Sequence, residues 1–242
     1  LRQHWVTDEI TSQVTLSREV NIFEIGCGDG FLTQTILKKP IKQLWVFEID
    51  PEWATFVQKS IPNPRMSIFQ ENILDLDFTR LAAHGTWTLL ANLPYQITFP
   101  ILNLLQKNRA LLNEGVIMVQ EEVAQKIMKK SGRGYGFPAL FFNHYFEWKL
   151  LSKVPPSAFL PPPKVDSRLL YFKPIAHPSP IKSEDEFWQF IRICFHQPRR
   201  TLRNNLTQAH LKLENVSEKT LSLRAQQMSF QDLIELWNRC CP

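Results

Sequence analysis

The stretch "FEIGCGDGFLT", residues 23–33, constrains this chain more than any other. A mostly apolar run ends in glycines and a helix-forming run follows, which is the opening unit of an open, mostly parallel sheet. Such a turn stands at the carboxyl end of its strand, where these sheets bind nucleotide-like ligands, because glycines let a ligand approach the main chain closely. The glycines here are Gly26, Gly28 and Gly30, with Phe31 where a GxGxxG dinucleotide fingerprint would carry its third glycine. A bulky ring at that helix–strand packing point counts against NAD.

The same alternation continues through the first half. Strands are expected at residues 21–25, 44–48, 66–69, 87–90 and 115–119, and helices at 31–39, 51–60, 101–106 and 121–130. This predicts an α/β, doubly wound, Rossmann-like sheet. In "SKVPPSAFLPPPKVDSRLLYFKP", five prolines within nine positions forbid regular structure and predict a shaped loop before a strand at 167–172. A second shift comes at "HPSPIKSEDEF", where Ser183 is expected to cap a helix with acids in its first turn. Two domains are expected, residues 1–177 and a small helical one at 178–242; no internal repeat is present.

With 242 residues, 44% of them hydrophobic, the chain can bury one large core plus a small appendage, and disorder is excluded. Its seven Trp and 17 Phe exceed ordinary core filling and leave rings for stacking on a ligand. A net charge of +5 points to a polyanionic partner. Cys27, Cys194, Cys240 and Cys241 form no CxxC pair and no zinc spacing, which fits a reduced, cytoplasmic compartment. The six histidines contain no HExxH, so no metal is expected. No apolar run reaches the roughly 18 residues of a membrane span. No signal peptide is visible, although the chain starts at Leu1 without methionine, so a targeting segment could precede it.

Two further features carry chemistry. Glu48 ends the strand "WVFEID", where a carboxylate can accept both hydroxyl protons of a ribose. Then "ANLPYQITFP", residues 91–100, sets an amide, a proline and a phenol at a strand's mouth. The amino group of adenine is a poor nucleophile because its lone pair is delocalised into the ring. An Asn side-chain oxygen and a carbonyl just before a proline can accept its two N–H protons and aim the nitrogen at an electrophile. Asn92 and the carbonyl of Leu93 would orient the amine, Pro94 would stiffen the turn and Tyr95 would stack on the base. The competing reading is a helix N-terminus, with Asn as cap and Pro in the first turn. The glycine turn favours the first reading, since ExGxGxG (Glu24 to Gly30) resembles the first motif of S-adenosylmethionine-dependent methyltransferases, with Gly26 beside the cofactor.

The chain as a whole resembles the small-subunit ribosomal RNA adenine dimethyltransferase family. The motifs that carry the likeness are "RQHWVTD", "EIGCGDGFLT", "FEID", "NLPYQIT", "VQEEVAQKI", "PPSAFLPPPKVDS" and "FHQPRRTLRNNL", in the family's order. The resemblance implies dimethylation of adenines in a stem-loop near the small-subunit RNA 3′ end, in ribosome biogenesis. It further implies S-adenosylmethionine contacts from His4, Val6, Glu48, Asn72 and Asn92, Asn72 standing where an aspartate is usual. Phe159 would face Tyr95 across a flipped adenine; its competing reading is a loop aromatic that plugs the core. Arg2 replaces the family's glycine, Trp5-Val6 its Phe-Leu pair, and Pro198 a frequent basic residue.

Residues 187–213 carry Arg192, Arg199, Arg200, Arg203 and Lys212 and no acid. Pro198 is expected to restart a helix there, with Arg199, Arg200 and Arg203 forming a stripe that grips one RNA backbone. Lys126, Lys129, Lys130 and Arg133 make a second cluster beside "GRGYG". Each cluster has an ordinary solvated basic face as its alternative. The expected partner is small-subunit RNA or a pre-ribosomal particle, bound by a monomer. Two other functions fit the motifs: a large-subunit adenine methylase of the resistance type, and a ribosome-assembly or mitochondrial transcription factor without catalysis. The intact Glu48 and Asn92 argue against the latter.

Overall fold

In a computed structural model, residues 1–241 are described. The strands are β1 (Asn21–Ile25), β2 (Gln43–Phe47), β3 (Met66–Phe69), β4 (Trp87–Asn92), β5 (Leu112–Gln120), β6 (Phe146–Val154) and β7 (Ser167–Pro174). They form one seven-stranded sheet in the order β3-β2-β1-β4-β5-β7-β6. The first five strands run parallel, and β7 and β6 add on antiparallel. The expected doubly wound α/β sheet is therefore present, extended by a hairpin. From β1 the chain moves outward through β2 to β3 and then returns to β4, so the topology reverses between β1 and β4. A crevice opens at the carboxyl ends of strands on either side of such a point.

The helices are α1 (His4–Ser12), α2 (Phe31–Leu37), α3 (Pro51–Ser60), α4 (Thr79–Ala82), α5 (Thr98–Lys107), α6 (Glu121–Met128), α7 (Phe137–Tyr145), α8 (Glu184–Cys194), α9 (Leu202–Gln208), α10 (Glu218–Leu221) and α11 (Phe230–Cys240). Strand alternation sorts the core into two chemistries. Ile22, Leu44, Val46 and Leu90 join Val6 and Ile10 of α1, Ile36 of α2 and Val57 of α3 in an aliphatic layer. The residues between them are aromatic: Trp45 lies 4.8 Å from Trp87, Phe47 5.3 Å from Phe69 and Phe23 6.4 Å from Trp87, ring centroid to ring centroid. The indole N–H of fully buried Trp87 donates to the Leu81 carbonyl of α4 at 2.9 Å. Much of the aromatic surplus expected to serve ligand stacking thus fills the core instead.

Two compact units result. The first comprises Leu1–Ala124 and Tyr145–Ile175, and the second takes Gln125–His144 together with the chain from Ala176 onward. Within the second unit, α8 buries Phe187, Trp188, Phe190, Ile191 and Cys194. Ser183 does stand at its N-cap, but its hydroxyl makes no cap bond; Glu184, Asp185 and Glu186 in the first turn suit the helix dipole. The helix expected to restart at Pro198 begins only at Leu202, because residues 197–200 close a turn in which Arg200 N–H donates to the Gln197 carbonyl at 2.9 Å. No helix among the described residues is long and apolar enough to cross a membrane.

Gly115 marks the tightest point of the sheet, paired with Leu89 on one side and Phe172 on the other. A Cβ there would stand 2.7 Å from the Leu89 carbonyl oxygen and 2.6 Å from the Phe172 ring. Gly115→Ala is expected to lower stability by about 1–3 kcal/mol, as overpacking does. Urea unfolding measures it, and an unchanged midpoint would show that the strands part at no cost.

Candidate functional site

The glycine turn closes over the end of β1 with Gly26, Gly28 and Gly30 all in left-handed backbone, at φ 71°, 50° and 77°. Gly26 N–H donates to the Phe47 carbonyl at 2.9 Å, which pins the turn to the end of β2. Glu48, the next residue, is only 7% exposed. Its Oε2 accepts from Gly28 N–H at 3.1 Å and from the Cys27 thiol at 3.7 Å, and its Oε1 accepts from Asp50 N–H at 3.0 Å. The acid is therefore aimed by the very turn that it faces, and each oxygen keeps acceptor capacity for a ligand hydroxyl.

A cleft of about 200 Å³ opens here, lined by Glu24, Gly26, Gly28, Asp29, Trp53 and Asn92 among others. No atom lies within 4 Å of the place a Cβ on Gly28 would occupy, so that edge of the turn is free to meet a ligand. Glu24 was quoted in the sequence motif without a role. Its carboxylate is 1% exposed and accepts from Thr33 Oγ1 at 2.7 Å. Burial pushes its pKa up to about 8, the Thr33 hydroxyl pulls it back, and the charge of Glu48 pushes it up further. Trp53, whose N–H donates to the Asp50 cap at 3.4 Å, is a second cleft residue that sequence reasoning missed. Its spacing reads only as one face of α3.

The N-terminal segment forms another wall. Arg2 pairs with Asp29 at 3.2 Å, while its N–H donates to the Ala158 carbonyl at 2.8 Å. The ring of His4, the first residue of α1, lies 4.8 Å from that of Phe31. Val6 is fully buried in the aliphatic layer, so its side chain packs the core. Asn72 caps the short helical turn Ile73–Asp75, with Oδ1 accepting from Leu74 N–H at 3.1 Å and Nδ2 donating to Asp75 Oδ2 at 2.9 Å.

Asn92 is the last residue of β4, and α5 begins only at Thr98, so the helix-cap reading fails. Leu93 N–H donates to the Met118 carbonyl at 3.1 Å, carrying the β4–β5 ladder one residue past the strand and fixing the peptide plane before Pro94. Tyr95 is half-buried and its phenol shares a hydrogen bond with Ser167 Oγ at 2.5 Å. Burial raises the phenol's pKa and the Ser167 contact opposes that rise. Ser167, the first residue of β7, sits in a firmly tied segment. The neighbouring Arg168 forks onto Glu121 at 2.6 and 2.9 Å. Phe159 is half-buried and packs in part against the aliphatic layer.

Both expected basic clusters fall in the second unit. Lys126, Lys129, Lys130 and Arg133 are exposed, as are Arg192, Arg199 and Arg200. The expected stripe is not formed. Arg199 and Arg200 lie on the turn, and Arg203, on α9, is paired with Glu218, an acid outside the acid-free run. Among the described residues no group of three or more His, Cys, Asp or Glu could hold a metal ion.

Comparison with known proteins gives a consistent outcome. The family model for ribosomal RNA adenine dimethylase matches residues 1–238. A ribosomal RNA small subunit methyltransferase A of Chlorobium phaeobacteroides is 34% identical, covering 100% of this chain and 90% of that protein. The protein of the same name from Chlorobium luteolum is 35% identical, covering 100% and 89%. Among solved structures, a dimethyladenosine transferase from Plasmodium falciparum superposes with a TM-score of 0.81 at 22% identity, covering 98% of this chain and 97% of that one. The 23S rRNA methyltransferase ErmE follows at 0.74 and 20%, covering 100% and 99%. At those identities the two structures speak for the fold alone.

The buried acid in the cleft yields a test of the ligand-free protein. Folded, Glu24 keeps its proton up to about pH 8, whereas the unfolded chain releases it near the usual 4.5. The folded state then binds the extra proton, so its stability falls as pH rises across that window. Glu24→Gln removes the titration and leaves Thr33 an acceptor. Its stability relative to wild type is expected to climb steadily from pH 5 to pH 8 in urea unfolding, and a constant difference would mean that Glu24 is ionised throughout.

Proposed function

Since the chain belongs to the ribosomal RNA adenine dimethylase family, we propose that it transfers methyl groups from S-adenosylmethionine to the exocyclic amines of adenines in small-subunit ribosomal RNA, giving dimethyladenosine. The target is a stem-loop near the RNA's 3′ end, reached in a pre-ribosomal particle by a monomer acting in the cytoplasm. The observation that carries this reading is the meeting of Asn92 and the glycine turn at one cleft, with the Glu48 carboxylate held by Gly28 N–H.

Bound there, S-adenosylmethionine supplies an electrophilic methyl on a sulfonium. The residues present fit it. Gly28 leaves open space at the turn, and the carboxylates of Glu48 and Asp29 stand beside it, which suits a cation. Gly26 would meet the ligand through its main chain, and Glu48 would accept the ribose hydroxyls. Asn72 would accept from the adenine amine of the cofactor, using the acceptor capacity that Leu74 leaves on Oδ1. His4, beside Phe31, would close the mouth; Val6, being buried, would contribute main chain only.

The substrate side follows from Asn92 to Tyr95. Asn92 Oδ1 and the Leu93 carbonyl accept the two amine protons, which concentrates the lone pair on nitrogen and points it in line with the methyl. Pro94 has no N–H to repel the amine. Tyr95, held by Ser167, offers its face to the flipped base, and Phe159 offers another. No strong general base is needed, because the amine becomes acidic as it gains the methyl. RNA is gripped by the second unit through Lys126, Lys129, Lys130, Arg133, Arg192, Arg199 and Arg200.

The large-subunit alternative shares the fold, but the curated relatives that span the whole chain are small-subunit enzymes. The decisive experiment incubates the protein with methyl-labelled cofactor and immature small subunits, followed by nucleoside analysis. Labelled dimethyladenosine in the small-subunit RNA is expected, and label appearing only on large-subunit RNA would overturn the proposal. In the same assay Asn92→Ala should lower the rate on the order of 100-fold, the usual cost of one lost electrostatic contact, with cofactor affinity little changed.

Arg199→Gln with Arg200→Gln should weaken RNA binding and flatten its salt dependence by about 0.7–0.9 per lost phosphate contact. Arg203→Gln should change the slope less, because Glu218 already neutralises that side chain. An equal change in slope per arginine would show that the pair with Glu218 opens on binding.

A further inference from the structure

The second unit has a cavity of its own. It measures about 300 Å³ and is lined by Gln189, Arg192 and His196 on one side and by Asn205, Gln208 and Ala209 on the other. No acid lines it, and residues 187–213 contain none. Its walls are mixed, with Ile193 and Ala209 giving apolar surface between amide and cationic groups.

Asn205 is the unusual member. It is 3% exposed, and its Nδ2 donates to the Cys194 carbonyl at 2.9 Å and to the Gln197 carbonyl at 3.2 Å. Those two bonds use both amide hydrogens and fix the side chain's orientation. The remaining atom, Oδ1, is shielded from solvent and has no hydrogen-bond partner. The two donated bonds tie α9 to the C-terminal end of α8 and so hold the two walls of the cavity together. Beside it, the Arg192 guanidinium lies over the Phe137 ring at 4.1 Å from the centroid. One face of the cation is covered and held, while its N–H edge remains available to a phosphate.

We propose that this cavity receives one unpaired nucleobase of the RNA substrate, separate from the adenine that is methylated. The assignment rests on the RNA-binding reading of the second unit and deepens it. The amides of Gln189 and Gln208 pair with the base edge, and Ile193 with Ala209 packs on the base. Arg192 takes the adjoining phosphate, and Arg199 and Arg200 the next along the strand. A free phosphate fits poorly, since it has no use for the apolar wall. The base contact lets the unit recognise single-stranded RNA by more than its charge.

The test uses the full chain carrying Tyr95→Ala and Phe159→Ala, so that both stacking faces proposed for the methyl-transfer site are absent from every measurement. Two labelled probes are compared by fluorescence anisotropy: a mixed-sequence single-stranded RNA of 12 nucleotides and an abasic ribose-phosphate strand of the same length. The base-bearing strand should bind on the order of 10-fold tighter. Ala209→Phe, which fills the cavity and leaves the Asn205 bonds in place, should abolish most of that preference and leave abasic binding unchanged. Gln189→Ala, on an exposed position of α8, should lower the preference a few-fold should the larger side chain disturb folding. A preference that survives both substitutions overturns the cavity as a base site while the RNA reading stands, as does equal affinity for the two strands in the parent. If neither strand binds, or if Arg199→Gln with Arg200→Gln weakens neither, the RNA reading itself has failed, and the cavity assignment with it.

Discussion

A carboxylate taken out of water must be held by hydrogen bonds, and the position of everything in the cleft follows from how Glu48 is held. Its main-chain N–H donates to the Phe69 carbonyl at 3.1 Å, which ties it to β3. Its side chain reaches back to the turn after β1 and sideways to Asp50, whose own carboxylate starts α3. One acid thus sets the relative height of two strand ends, a glycine turn and a helix. Each charge-assisted bond of this kind contributes about 1.5–3 kcal/mol, and removing the acid would leave Gly28 and Asp50 N–H groups to find other partners. The proposed ligand site is accordingly part of the structural frame.

The proposed substrate side has a comparable anchor in β7. Because that strand runs antiparallel beside β5, it brings Ser167 to Tyr95 and Arg168 to Glu121 across 72 and 47 positions of sequence. The proline-rich loop that carries Phe159 therefore ends in a rigid strand, and Lys153 pairs with Asp166 at 2.8 Å across its base. Two aromatic rings from distant segments are supported by the same hairpin.

How much of this was legible in the sequence depends on how local the signal is. The turn after β1, the acid at the end of β2 and the Asn-Leu-Pro-Tyr run each declare themselves within a few residues, since glycine and proline dictate backbone directly. The strand β6 does not: only Phe146 and Val154 are buried at its ends, and an edge strand with lysines and a glutamate between them shows no apolar run. The α1 helix is not declared either, because its buried face, Val6, Thr7, Ile10 and Thr11, includes two threonines and leaves no apolar stripe to read. Arg203 looked available because its partner Glu218 lies 15 positions away, beyond an acid-free window. Glu24 was visible as a letter but not as a buried acid, since burial depends on neighbours that only the folded sheet supplies.

The connectivity of the second unit has a consequence for how the molecule is made. Its first portion, Gln125–His144, is translated well before the rest, which begins at Ala176. Synthesis proceeds at about 5–20 residues per second from the N-terminus. During that interval the sheet gains its last strand, β7, while Phe137 and Phe141 of α7 wait for Trp188 on α8. The first unit's chain is therefore complete on the ribosome before the second unit's, and a chain released early would lack the ring contacts that Trp188 gives Phe137 and Phe141.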